Sequence, residues 1–431
     1  MQGARTMSDK QPFVYPEMRL VFILLITCFA AWGVAANMTD PLVKVFSKIF
    51  AMSSLQSALV QFAYYGAYFC LAIPAAFINR RYSYKTGVLC GLGLAVIGAL
   101  AFYPASLAMQ YHYFLGALFI LAAGLSILET SANPFVMAMG PIENATRRLN
   151  LAQAFNPLGT NLGVFLAATL ILPNLHIAEA ADRALMTMEE LQLVQADELE
   201  AVMLPYVSMA LALLLIWLMI LFSKVPQPRE AVASSISELD FAKIFKRLMT
   251  NTHYRFGVIA QFFNVAAQVC VWTFTIQYVQ QAIGGTAADA SIYLQYSLLV
   301  FLVSRFVMTW LMGYIRPTIL MTILALTGSA LCLFALLSPT ISGIWAVVSI
   351  SACLSLMFPT IYGVALQGLG EDTKFGAAGL VMAILGGAIM PLFQGALIDS
   401  FTTAISYIIP AACFLVVAAY GYFDVRSKRA C

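Results

Sequence analysis

The stretch 111–139, YHYFLGALFILAAGLSILETSANPFVMAM, decides how the rest of the chain is read. A helix needs about 20 apolar residues to cross the hydrocarbon core of a bilayer, and this stretch supplies them with one charged side chain, Glu129. Carried outward along the chain, the same ruler predicts twelve spans. They lie at 19–46, 53–79, 86–105, 111–139, 148–172, 204–223, 254–283, 290–315, 317–337, 341–369, 374–399 and 402–424. Composition agrees: 61% of the 431 residues are hydrophobic and 10% charged, where soluble proteins carry about a quarter charged residues. So few charges cannot cover a soluble enzyme of this length, and a net charge of +3 gives no reason to expect a nucleic-acid partner. The lipid bilayer is the expected surrounding.

Positive charge favours cytoplasmic loops. With both termini inside, nineteen of the 23 Lys and Arg residues fall on the cytoplasmic side, among them Arg80, Arg81, Lys85, Arg147, Arg148, Lys243, Lys246 and Arg247. Lys44, Lys48 and Arg183 fall outside, and Arg305 lies within a span. The first eighteen residues are polar and show no cleavable signal, so the first apolar run is expected to be a retained span. The expected architecture is an all-α membrane protein of twelve transmembrane helices in two pseudo-symmetric halves. These are an N-terminal bundle at 19–224 and a C-terminal bundle at 254–424, with cytoplasmic tails at 1–18 and 425–431.

Two loops stand apart. The external loop 173–203 carries seven acidic residues, and Met188, Leu191, Val194 and Leu199 are spaced as in a short amphipathic surface helix. The internal loop 225–253 opens with Pro226 and Pro228 and turns basic, the character of a linker between halves. A weak repeat supports the two halves: Asn133-Pro134-Phe135 ends span four and Phe358-Pro359-Thr360 ends span ten, while Trp32 and Trp272 recur near mid-membrane in spans one and seven. Duplicated halves place a substrate site between them near the midplane. Seven of the eight cysteines sit inside apolar runs with no C-x-x-C pair, and they read as buried hydrophobes with no disulfide or metal role.

Charges inside spans cost about 2.5–3.5 kcal/mol each on insertion scales, so Asp40, Glu129 and Arg305 are the first functional candidates. Asp40 is followed by Pro41, which removes a backbone donor, and Asn37 stands three residues before it on the same helical face. Asp40 reads as a functional carboxylate or as a cap on the outer end of span one. Glu129 follows about eighteen residues of span four. A carboxyl withdrawn from water holds a proton readily, so Glu129 reads as a proton site or as a neutral partner in helix packing. The matching position in the second half is Leu354, which confines ionisable chemistry to the first half. Arg305 reads as structural or gating, with direct substrate contact as the alternative. In span five, Gln153, Asn156 and Thr160 follow three- and four-residue spacing and align on one face. Uncharged donors and acceptors of that kind suit a polyhydroxyl ligand, although interhelical hydrogen bonding accounts for them as well. Trp32, Trp272 and Tyr362 are among the aromatics that a sugar ring could stack on, with core packing the other reading. No phosphate-binding loop and no metal-ligand spacing appear, so no enzymatic activity, cofactor or metal is expected, and transport would draw on a gradient.

Four strings are similar to one group of proteins: Ala35-Ala36-Asn37-Met38-Thr39-Asp40, Leu128-Glu129-Thr130-Ser131-Ala132-Asn133-Pro134-Phe135, Arg148-Leu149-Asn150-Leu151-Ala152-Gln153-Ala154-Phe155-Asn156 and Asp372-Thr373-Lys374-Phe375-Gly376. Over almost the whole chain the sequence resembles the L-fucose–proton symporter family of the major facilitator superfamily. The resemblance implies alternating access and a bacterial inner-membrane location. It also implies that Asp40 serves the sugar cavity and proton path, that Glu129 is an occluded proton site, and that Gln153 and Asn156 line the cavity. Where the family pattern has Tyr before Pro-Thr-Ile, this chain has Phe358. Where that pattern has Trp-Ser-Tyr followed by Arg, it has Trp272-Thr273-Phe274 and Gln277. Two phenols and a guanidinium are gone, so glucose, galactose or another hexose stands beside fucose as an expected substrate. The remaining expectations are Asn37 and Asp40 on the sugar, Pro134, Pro359 and Pro41 as structural or gating prolines, and a monomer. Sodium in place of protons and proton–drug antiport are the alternatives.

Overall fold

A backbone surrounded by hydrocarbon must satisfy its own N–H and C=O groups, and the described residues do so as helices. The computed structural model describes residues 12–49, 54–108, 110–166, 169–170, 186–225 and 241–427. The first half runs through α1 (Arg19–Ile49), α2 (Ser54–Arg81), α3 (Tyr84–Ala108), α4 (Tyr111–Ala138), α5 (Ala145–Gln153), α6 (Phe155–Leu166) and α7 (Met188–Phe222). A short helix α8 (Phe241–Thr250) leads into α9 (Thr252–Ile283), α10 (Ala287–Leu311), α11 (Pro317–Leu337), α12 (Ile341–Leu354) and α13 (Met357–Ala365). The chain closes with α14 (Thr373–Met382), α15 (Gly386–Ser400), α16 (Thr403–Ser406) and α17 (Ile408–Ser427).

Among the described residues eleven stretches are long and apolar enough to cross a membrane. Span five is divided at Ala154 into α5 and α6, which is why length alone does not find it. Spans ten, eleven and twelve are also divided, between α12 and α13, at the 3-10 turn Ala383–Leu385, and at Tyr407.

The acidic loop corrects one expectation. Its helical segment is not a separate surface helix but the first turns of α7, which is continuous over 35 residues. At 1.5 Å per residue that is about 52 Å, longer than a bilayer core of about 30 Å, so the acidic turns project beyond the lipid. A capping box starts it: the Glu190 amide donates to Thr187 Oγ1 (3.3 Å) and the Thr187 amide donates to Glu190 Oε2 (2.9 Å). The cap bonds hold the exposed Glu190 carboxyl below its ordinary range. In the linker, α8 buries Ile244 and Leu248, and Arg247 pairs with Asp372 at 2.6 Å.

Among the described residues two apolar cores form. One gathers α1–α4 and α7, the other α9–α13 and α17. The first also takes in Tyr362, Ala365 and residues of α14, so second-half side chains are packed into the first-half core. Within the first half α1 and α6 cross at backbone contact: a Cβ added to Gly159 would sit 1.8 Å from the Ala30 oxygen, and one on Gly33 would sit 2.1 Å from the Asn156 oxygen. Small residues at such crossings are how membrane helices pack without a hydrophobic drive between them. The cysteines depart from expectation in part. Cys28, Cys270, Cys332, Cys353 and Cys413 are buried, but Cys70 on α2 and Cys90 on α3 are exposed.

Candidate functional site

Three prolines set up the centre of the bundle. A proline has no N–H, so the carbonyl four residues before it loses its helical partner. Pro157 frees the Gln153 oxygen, Pro359 frees the Ser355 oxygen, and Pro134 frees the Thr130 oxygen. The first two meet one side chain. Arg305 Nη1 donates to the Gln153 oxygen at 3.0 Å and Nε donates to the Ser355 oxygen at 2.5 Å. The guanidinium is buried, and Phe301 lies beneath it at 4.7 Å. One cation thus closes two helix breaks, one in each half, with carbonyls rather than a carboxylate as its partners. The Thr130 oxygen accepts from Asn79 Nδ2 at 3.4 Å, so α4 stays continuous through Pro134.

Further contacts between the halves lie on the same side. Arg147 Nε donates to the Thr309 oxygen (3.2 Å), and Asn150 Nδ2 to Thr360 Oγ1 (3.2 Å). Phe77 meets Phe375 edge-on at 5.1 Å, and Phe155 meets Phe306 at 5.6 Å. These contacts join the halves toward the end of the bundle that carries Arg80, Arg147, Arg247 and Arg316. At that basic end Arg148 is wholly buried and donates to the Val136 oxygen (2.8 Å), the Gly140 oxygen (3.0 Å), the Phe13 oxygen (2.9 Å) and the Met137 oxygen. It thereby caps α4, whose last carbonyls have no helical donor.

Glu129 sits just above this closure, 1% exposed. Neither carboxyl oxygen makes a hydrogen bond of 3.5 Å or less among the described residues, the Asn133 side chain being its polar neighbour, and no described cation pairs with it. Tyr68 of α2 and Tyr362 of α13 are its electrostatic neighbours. Tyr362 comes from the opposite half and is fully buried, so it lies under the carboxyl rather than on an open surface where a sugar could stack. Tyr68 in turn accepts a hydrogen bond from Trp32 Nε1 at 3.0 Å. Gln153 is also buried, its Nε2 donating to Asn133 Oδ1 at 2.8 Å.

The half-buried polar groups lie farther from the basic end. Asn37 Nδ2 donates to Thr160 Oγ1 (2.9 Å) and to the Gly33 oxygen (3.0 Å), joining α1 to α6. Asn156 Nδ2 reaches the Phe29 oxygen at 3.4 Å, and Trp272 Nε1 donates to Ser351 Oγ at 3.1 Å. The structure therefore brings Trp32, Asn37 and Asn156 together on the first-half wall, with Trp272 on the second half. Asp40 and Pro41 fall on α1, but their side chains lie outside the described residues. Phe358, beside Tyr362 with the rings stacked at 6.2 Å, and Phe274 are half-buried, and Gln277 is exposed. Sequence reading gave no site role to Pro157, Asn133 or Arg148, and took Tyr68 only as one of the aromatics on which a sugar ring could stack. Pro157 carried a usable signal, the proline four residues after an amide. The others are found only by where the helices meet.

Three comparisons bear on this arrangement. The family described as Major Facilitator Superfamily matches residues 20–385. The chain is 40% identical over 412 residues to the L-fucose-proton symporter of Haemophilus influenzae, covering 93% of this chain and 95% of that one. It is 34% identical over 405 residues to the glucose/galactose transporter of Brucella abortus, covering 94% and 93% respectively. The crystal structure of the transporter FucP in the outward conformation superposes with a TM-score of 0.89 at 35% identity, covering 95% of this chain and 99% of that one.

Proposed function

The chain is a member of the Major Facilitator Superfamily, a fold of twelve membrane helices and a family of transporters, not enzymes, and from that premise we propose that it is a proton-coupled symporter. Its substrate is a monosaccharide, L-fucose or a related hexose, moved by alternating access. The observation that carries this reading is Glu129: a buried carboxyl with no cation beside it, one tyrosine away from Trp32 on the polar wall. An unpaired charge in such a place costs far more than the neutral carboxylic acid does, so the site is suited to take up and give back a proton.

The basic end faces the cytoplasm, as the positive charges favour, and is closed in this state. Sugar and proton enter from the opposite side. Asn37, Asn156, Trp32 and Trp272 meet the sugar, with Asp40 at the outer end of the path. When the halves rock, Arg305 leaves one of its two carbonyls and Tyr362 withdraws from Glu129 with its half. Water then reaches the carboxyl, and its proton leaves inward after the sugar. Coupling arises because each ligand binds one state more tightly than the other. Similarity to both fucose and glucose/galactose transporters, with Phe358, Phe274 and Gln277 in this chain, keeps the substrate class at hexoses and deoxyhexoses.

The test is uptake of labelled L-fucose, D-glucose and D-galactose into proteoliposomes with an imposed pH gradient, alkaline inside. Accumulation of at least one sugar, abolished by collapsing the pH gradient and indifferent to sodium, is expected. Accumulation driven by sodium alone, or none with any of the three, would contradict the reading.

A further inference from the structure

At the end of the second half opposite the basic residues, α9, α10 and α12 border a half-open cavity of about 430 Å³. Ligand sites span about 300–1,000 Å³, so it has room for a single sugar ring. Its walls are Val279 and Ile283 of α9, Asp289, Tyr293 and Tyr296 of α10, and Trp345 of α12. The aromatics are organised. Tyr296 and Trp345 stack with ring centroids 5.9 Å apart at 18°, and Tyr293 meets Trp345 edge-on at 5.9 Å. Trp345 is 49% exposed and Tyr296 43%, a large aromatic surface outside any core. Asp289 spends Oδ2 on capping α10, accepting from the Thr286 amide (3.1 Å) and Thr286 Oγ1 (2.7 Å), while Oδ1 takes no part in the cap.

The cavity is built on the same helices as the second-half part of the central wall. The same three helices meet again at Trp272, which touches Phe301 of α10 edge-on at 5.0 Å and bonds Ser351 of α12. Val279 is seven residues beyond Trp272, Tyr293 eight before Phe301, and Trp345 six before Ser351. At 1.5 Å per residue each step is about 9–12 Å along the helices, so the cavity lies one level farther from the basic end than the Trp272 cluster.

We propose that this cavity is an outer sugar subsite, in which a pyranose ring stacks on the open face of Trp345, backed by Tyr296, and donates hydroxyls to Asp289 before it descends to Trp272. This rests on the transport reading above and adds to it a specificity-determining site at the mouth of the path. The ligand class follows from the lining. Aromatic faces beside a carboxylate oxygen suit the apolar C–H faces and hydroxyl rim of a sugar, whereas an acyl chain would leave the carboxylate unmatched.

The experiment measures initial uptake by the full chain in proteoliposomes with L-fucose, D-glucose and D-galactose as probes. It compares the parent with Trp345→Ala, Tyr296→Ala and Trp345→Phe. Trp345→Ala and Tyr296→Ala are expected to raise KM for the transported sugar about tenfold with kcat within about twofold, and Trp345→Phe to stay within about threefold of the parent. As a readout independent of folding of the alanine variants, sugar should change the tryptophan emission of the parent by an amount missing in Trp345→Phe. An unchanged KM in Trp345→Ala, or emission changes equal in parent and Trp345→Phe, would overturn the outer subsite while leaving transport intact. Absence of uptake by the parent itself would instead overturn the transport reading and this one with it.

Discussion

The Arg305 guanidinium on α10 and the Gln153 carbonyl on α5 are 3.0 Å apart, and they belong to opposite halves of the molecule. The bond exists because Pro157 denies Gln153 its helical donor. Its twin to the Ser355 oxygen exists because Pro359 does the same in span ten. A hydrogen bond to a charged group is worth about 1.5–3 kcal/mol, so this one side chain biases the equilibrium between the two states substantially. Arg305→Ala should open the basic end. With spin labels at positions 81 and 371, on opposite halves, a longer distance absent from the parent should become the main population. Arg305→Lys, a point donor without the planar fork, should lie between the two.

Pro157→Ala should return an N–H to the Gln153 oxygen and compete with Arg305 for it. Uptake should fall about tenfold, while thermal stability stays within about 1 kcal/mol of the parent, because a helix bond is gained as a gate bond is weakened. Thermal unfolding and initial-rate uptake check the two halves of this expectation. A drop in stability with normal uptake would show the proline to be structural only.

The asparagine of α5 that meets Thr360 offers a cleaner energetic measurement. Asn150→Ala, Thr360→Val and the double variant form a cycle across the halves, with a coupling of about 0.5–1.5 kcal/mol expected in thermal stability. Additive effects would mean that the 3.2 Å contact contributes nothing to closure.

How much of this was legible in the sequence differs by residue. Glu129 was, because a carboxyl within an apolar span has few structural uses, and the basic residues of one end were, because lipid sorts charge by side. The break at Ala154 and the bridge by Arg305 were not. Pro157 marks the first locally, although its meaning shows only once the freed carbonyl has a partner, whereas the bridge pairs residues about 150 and 50 positions apart and the sequence around Arg305 names neither. Tyr362 shows the same limit: its spacing on span ten permits a place on the sugar wall, but the closing of the halves sets it beneath Glu129 in the first-half core. The acidic turns before span six read as separate because their composition changes, yet helix geometry continues through a change of solvent.

Tyr68 joins the wall to the carboxyl, accepting from Trp32 and neighbouring Glu129. Tyr68→Phe keeps the ring and removes the link. Sugar counterflow should remain within about threefold of the parent, and gradient-driven accumulation should fall about tenfold, both read in the same vesicles. Equal loss of the two activities would place Tyr68 in packing alone.

The central claim is that sugar and proton cross together through Glu129. It is tested most directly by the pH of the medium around energy-depleted cells when L-fucose, D-glucose or D-galactose is added, in the parent and in Glu129→Gln. The account expects prompt alkalinisation with at least one sugar in the parent. In Glu129→Gln it expects none, although counterflow exchange of that sugar persists. Alkalinisation that survives Glu129→Gln, or sugar entry by the parent without any proton uptake, would contradict it.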